Sequence, residues 1–143
     1  MIAYLDSSAI TKLYLDDETG TDELHEITAG PATLATSRLS YVEVRSSLAA
    51  ARRADRMARS EHERAVGSFE EAWLAYAVIE LTADVSERAG AIADTFGLRA
   101  GDSIQLASML ELDPRREVIV VAWDARLRVA ATAAGLAVFP PGR

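Results

Sequence analysis

Four carboxylates stand where a folded chain can bring them together: Asp6, Glu43, Asp102 and Asp124. Asp6 closes the short apolar run Ile2-Ala3-Tyr4-Leu5 and precedes the helix-forming Ser7-Ser8-Ala9. Asp124 follows Val118-Ile119-Val120-Val121-Ala122-Trp123 and precedes Ala125-Arg126-Leu127. Asp102 follows Gly101 and opens an apolar helical stretch, and Glu43 sits one turn into a long helix within Ser40-Tyr41-Val42-Glu43-Val44. Strands in a parallel sheet end on one edge, and the crevice outside that edge is where such folds bind ligands. Each Asp also fits a plain N-cap, and Asp102-Ser103-Ile104-Gln105 reads as a capping box. Glu43 fits no cap; between apolar neighbours it reads either as a site residue or as a solvated side chain.

Carboxylates that converge repel one another unless a cation or a shared proton neutralises them. The chain has no Cys and only His25 and His62, so thiolate and histidine-rich metal sites have almost nothing to build from. An all-oxygen donor set selects Mg²⁺ or Mn²⁺ over zinc. Such an ion suits phosphate substrates, because it acidifies a water and offsets charge on phosphate oxygens without a side-chain nucleophile.

The elements that must position these acids alternate. Strands are expected over 2–5, 33–35, 78–81, 117–122 and 136–139. Helices are expected over 7–15, 21–29, 37–58, 60–76, 83–96, 103–112 and 125–134, with Gly97 and Gly135 at C-caps. Alternation of this kind predicts an α/β fold, a three-layer α/β/α sandwich around a mostly parallel sheet. Length (143 residues), 50% hydrophobic content and the absence of repeats or Pro/Gly linkers predict a single domain over 1–143. The most apolar run, 118–123, is far below the ~20 residues of a spanning helix, and Asp6 interrupts any leader-like segment. A cytoplasmic, cysteine-free protein with no membrane association is the expectation. A net charge of −7 argues against nucleic-acid binding through bulk charge, though not against a metal-neutralised nuclease site.

Four blocks of the chain resemble the PIN domain, specifically VapC-type ribonuclease toxins of bacterial toxin–antitoxin pairs. They are Tyr4-Leu5-Asp6-Ser7-Ser8-Ala9 with Lys12 and Leu13, and Thr36 through Val44 around Glu43. The others are Leu98-Arg99-Ala100-Gly101-Asp102-Ser103-Ile104-Gln105-Leu106-Ala107-Ser108, and Asp124-Ala125-Arg126-Leu127. The resemblance implies a PIN-like fold and a Mg²⁺- or Mn²⁺-dependent endoribonuclease whose catalytic and metal-binding acids are Asp6, Glu43, Asp102 and Asp124, with Ser8 supporting the first. It further implies an RNA substrate, a cognate antitoxin and a homodimer. Two positions depart from the pattern: Gln105 stands where relatives often have His, and Ala122 replaces a hydroxyl residue two before the last acid, which weakens the case for Asp124 as a ligand.

Lys12, the only lysine, is a candidate phosphate contact, or a partner for Asp16 four residues on. Arg38 and Arg99 flank acid-bearing segments and are candidate RNA contacts. Arg45, Arg52, Arg56 and Arg59 share one face of the expected 37–58 helix and its continuation, facing solvent or a partner and away from Glu43. Val66, Phe69, Trp73 and Tyr76 form an apolar face that packs on the domain's own core or receives the antitoxin. Trp123 either packs or stacks a base.

Two other classes compete. An acid-edged phosphohydrolase of the haloacid-dehalogenase type wants a second Asp at position 8, which is Ser, and a receiver domain wants a late lysine, which is absent. A non-catalytic scaffold would use the same acids only as caps. No phosphate-binding glycine loop is present.

Overall fold

The computed structural model describes residues 1–15 and 21–141. Its five strands are β1 (Ile2–Leu5), β2 (Thr33–Ser37), β3 (Ala77–Ile79), β4 (Val118–Val121) and β5 (Ala137–Phe139). The helices are α1 (Ser7–Lys12), α2 (Thr21–Ala29), α3 (Arg38–Arg53), α4 (Arg59–Trp73), α5 (Ala83–Phe96), α6 (Ala100–Met109) and α7 (Ala125–Ala133). Every strand pairing is parallel, in the order β3-β2-β1-β4-β5. The expected α/β sandwich around a parallel sheet is therefore what forms, with β1 at its centre.

Side chains alternate across a strand, so each strand feeds two cores. Ile2, Tyr4 and Val120 pack with Val85, Leu106 and Leu127 under α5, α6 and α7. Ala3, Leu5 and Val121 pack with Ile10, Val44, Leu48 and Phe69 under α1, α3 and α4. Tyr4 and Leu5 are both fully buried, which is why β1 reads as a continuous apolar run. Phe69 meets the Tyr14, Tyr41 and Trp73 rings at centroid distances of 6.0, 5.7 and 5.7 Å, so the aromatic face of α4 belongs to the domain's own core. Among the described residues, no helix is long and apolar enough to cross a membrane.

Three expectations need correction. Helix α3 stops at Arg53 instead of running on to 58: Asp55 takes φ 56°, Arg56 N–H donates to Ala51 O (2.9 Å) and Asp55 N–H to Arg52 O (3.1 Å). That is a Schellman termination with Asp in the place usually held by Gly, and it returns the chain so that Met57 reaches the core. The arginine stripe is thereby broken, because Arg56 and Arg59 lie beyond the turn. Helix α1 stops at Lys12, short of 15. Helix α6 begins at Ala100 with Arg99 as its N-cap, so Asp102 lies inside the first turn and no capping box forms. The glycine terminations hold: Gly97 (φ 64°) and Gly135 (φ 88°) end α5 and α7 in the left-handed region.

Candidate metal-binding active site

Asp6 leaves the C-terminal end of β1 and caps α1. Its Oδ1 accepts the Ala9 N–H at 2.8 Å, and the Ser8 hydroxyl lies 2.7 and 2.9 Å from its two oxygens. The side chain is nonetheless buried, and burial pushes the carboxyl up from 3.8 to about 7. The Ala9 and Ser8 bonds oppose that shift, while the charges of Asp102 and Glu43 add to it. Asp6 is thus a helix cap, and a buried one that feels the charges of Asp102 and Glu43.

Glu43 enters from α3, whose first turn is fixed by Ser37 accepting the Leu39 N–H at 3.1 Å. Glu43 Oε1 accepts a hydrogen bond from Gln105 Nε2 at 2.9 Å. The same amide donates to Ser40 Oγ (3.0 Å), and its oxygen accepts the Tyr4 hydroxyl (2.5 Å). Burial, followed by the charge of Asp6, raises the Tyr4 hydroxyl well above its ordinary value, so it remains a donor. Thr36 Oγ1 lies 2.7 Å from the Leu5 carbonyl and 2.8 Å from Ser40 Oγ. With one proton per hydroxyl, Thr36 donates to Leu5, Ser40 to Thr36, and Gln105 to Ser40. Among the described residues, no buried side-chain nitrogen or oxygen lacks a partner.

Asp102 and Asp124 meet at Arg99. The guanidinium stands 3.3 Å from Asp102 Oδ2 and 3.7 Å from Asp124 Oδ2, on a side chain that is 76% exposed. Asp124 is also the N-cap of α7, accepting Leu127 N–H at 3.0 Å, and is more exposed than Asp102. Ala122 beside it is buried and contributes no hydroxyl.

Beyond Asp6 and Ser8, a cleft of about 550 Å³ opens between α1 and α3, lined by Ser8, Thr11, Lys12, Ser47, Arg56 and Trp123. Lys12 is buried along its length with Nζ 4.7 Å over the Trp123 ring. Asp16, its alternative partner, lies outside the described residues. Arg38 does not point at the acids: its Nε lies 3.0 Å from Glu80 Oε2 on the exposed β3 side. Arg45 is paired with Glu70 at 2.9 Å.

Among the described residues, no three His, Asp or Glu side chains already form a group able to hold an ion by themselves. The acids share a neighbourhood instead of a closed cage. That arrangement suits Mg²⁺, which keeps several waters and takes only one or two carboxylates directly. The donors present are all oxygens, and the most buried of them, Asp6, carries a charge that burial disfavours, so the residues fit a hard divalent cation.

Reading the sequence missed three residues that shape this site. Tyr4 reads only as part of the first strand, Ser40 only as part of the block around Glu43, and Gln105 as a cap partner or a departure from the family pattern. Only the side-by-side placement of β1, α3 and α6 brings them together; the one advance signal was a Gln in an otherwise apolar helix, which must find partners once buried.

A family model described as PIN domain matches residues 3–132. Two curated proteins of Mycobacterium tuberculosis, Ribonuclease VapC45 and Ribonuclease VapC49, are each 41% identical to the chain over 140 residues, covering 97% of it and 95% of their own length. Among solved structures, FitAcB from Neisseria gonorrhoeae superposes with a TM-score of 0.70 at 17% identity over 98% of both chains. VapBC2 from Rickettsia felis, bound to a promoter DNA fragment, gives 0.63 at 12% identity over 96% of this chain and 97% of its own. Receiver and haloacid-dehalogenase readings fall away with these matches. The chain belongs to the PIN-domain family, in its VapC group.

Proposed function

We propose that the protein is a Mg²⁺- or Mn²⁺-dependent endoribonuclease, the toxin of a toxin–antitoxin pair, acting in the cytoplasm. The observation that carries this is Asp6: a buried carboxyl held near 7, with Asp102 and Glu43 adding negative charge, is relieved either by its own proton or by a cation, and the all-oxygen donors around it suit a hard divalent one. The ribonuclease names of the 41% identical relatives support RNA as the substrate. Toxin–antitoxin complexes among the structural neighbours support a cognate antitoxin, and a homodimer is the accompanying expectation from the family.

Asp6, Glu43 and Asp102 would hold the ion, with Asp124 at the rim. When bound, the ion supplies an acidified water and positive charge against the phosphate oxygens. Ser8 fixes the rotamer of Asp6, so its oxygens face the crevice. The cleft receives the strand, with Lys12 against a phosphate and Trp123 beside a base. Arg99, already between two acids, neutralises substrate phosphate once an ion takes over the carboxylates. Arg38 reaches RNA only by releasing Glu80, so its contribution is the smallest.

The test is cleavage of a broad RNA panel with Mn²⁺, with EDTA, and with Asp102→Asn. Metal-dependent scission that the variant loses is the expected result. Mn²⁺ binding without any scission across the panel would overturn the nuclease and leave a non-catalytic PIN-like scaffold.

A further inference from the structure

Glu43 enters the crevice on a flexible side chain, and α6 holds one of its oxygens while leaving space for the other. Its Oε1 receives the Gln105 Nε2–H at 2.9 Å, and its Oε2 lies only 3.0 Å from where a Cβ on Gly101 would stand. Gly101 and Gln105 are four residues apart, hence neighbours on one helix face. Against that face sits the Glu43 carboxylate, and Gly101 directly precedes Asp102. Gln105 is itself held: its oxygen by the Tyr4 hydroxyl, its second N–H by Ser40, which continues through Thr36 to the carbonyl of Leu5. Leu5 directly precedes Asp6. One buried chain of hydrogen bonds therefore links the peptide that carries Asp6 to the carboxylate of Glu43.

We propose that Gly101 and Gln105 form a cradle on α6 that sets the Glu43 carboxylate for the divalent ion, with Gln105 the positioning residue. Both halves are needed. An amide offers an acceptor to Tyr4 and two donors, one each for Ser40 and Glu43, which no hydrocarbon of that size can do. It also donates to Glu43 without claiming both carboxylate oxygens, leaving Oε2 for a ligand. Gly101 leaves that second oxygen room; a methyl there would displace it by a few tenths of an ångström. This inference rests on the metal-dependent reading above, and its test separates the two.

Mn²⁺ affinity by calorimetry, apo thermal stability, and kcat against KM on RNA are measured for the full chain and its variants. Gln105→Met is expected to weaken Mn²⁺ binding about ten-fold or more, as loss of a partner that orients a ligand does. The loss falls on kcat at fixed metal and leaves KM for RNA unchanged. In a Glu43→Gln background the same substitution should change Mn²⁺ affinity by less than about two-fold, because coupled residues are non-additive. Gly101→Ala keeps the variant set informative should Gln105→Met fold poorly. Alanine favours the helix, so apo stability holds or rises, while Mn²⁺ affinity falls several-fold. Signs that differ between stability and affinity cannot come from a merely structural role. Equal losses from Gln105→Met with and without Glu43, or unchanged Mn²⁺ affinity in Gly101→Ala, would overturn the cradle and leave the nuclease reading standing. A wild-type chain that takes up no Mn²⁺ would overturn both.

Discussion

Removing the charge of Asp6 should make the metal-free protein more stable while abolishing its activity. The native carboxyl keeps its proton up to about pH 7, whereas an unfolded Asp releases it near 3.8. Between those values the unfolded chain binds fewer protons than the native one, so stability falls as pH rises and is flat above about 7. A shift of roughly three units corresponds to about 4 kcal/mol lost across that window. Asp6→Asn cannot ionise, and its side-chain oxygen still accepts the Ala9 N–H. Its apo form should gain ~2–4 kcal/mol at about pH 8, or roughly 6–15 °C in Tm for a chain of this size. Its stability should be nearly level between about pH 5 and pH 8, where the wild type loses ~3 kcal/mol from this group. Urea unfolding in EDTA at the two pH values reads both. Adding Mn²⁺ at a hundred times its Kd should restore ~2.7 kcal/mol to the wild type and nothing to the variant. An Asn variant less stable than wild type at the higher pH, or with the same pH slope, would refute the view that this carboxylate is held at a cost to the fold.

Ser8→Ala removes a bond that lowers the Asp6 carboxyl, so the acidic limb of the pH–rate profile should move to higher pH; an unmoved limb would show that Ser8 does not act through Asp6. Lys12→Gln should raise KM for RNA several-fold with Mn²⁺ affinity unchanged by calorimetry, as loss of a phosphate contact requires. Arg45→Ala breaks a half-exposed pair with Glu70, costing under ~1 kcal/mol in urea unfolding and leaving RNA cleavage intact, since its guanidinium is engaged by Glu70 and Tyr41. Phe69→Ala empties the centre of the aromatic core and should cost ~3–5 kcal/mol by the same method.

The topology of the site was legible because it depends on where strands end. Asp6 at the end of β1 and Asp124 just past β4 are delivered to one edge by any parallel arrangement of those runs, and their capping is a local property of Asp before a helix. Its internal bracing was not legible. Gln105 finds Tyr4, Ser40 and Glu43 across sequence separations of 101, 65 and 62 residues, and nothing local to any of them encodes the meeting. The end of α3 was hidden for a different reason. Ala-Ala-Ala-Arg-Arg-Ala-Asp-Arg is good helix sequence throughout, and the turn at Asp55 forms because burying Met57 outweighs one residue in the left-handed region. Asp102 reads as a cap because Gly101 precedes it; in the structure Gly101 is helical and lies against Glu43.

Anomalous scattering from a crystal soaked in Mn²⁺ puts the shared-ion claim to its most direct trial. The account predicts a peak bounded by carboxylate oxygens of Asp6, Asp102 and Glu43, directly or through one water, that vanishes in Asp6→Asn. Ordered Mn²⁺ found only elsewhere on the molecule, with those three side chains untouched, would contradict it.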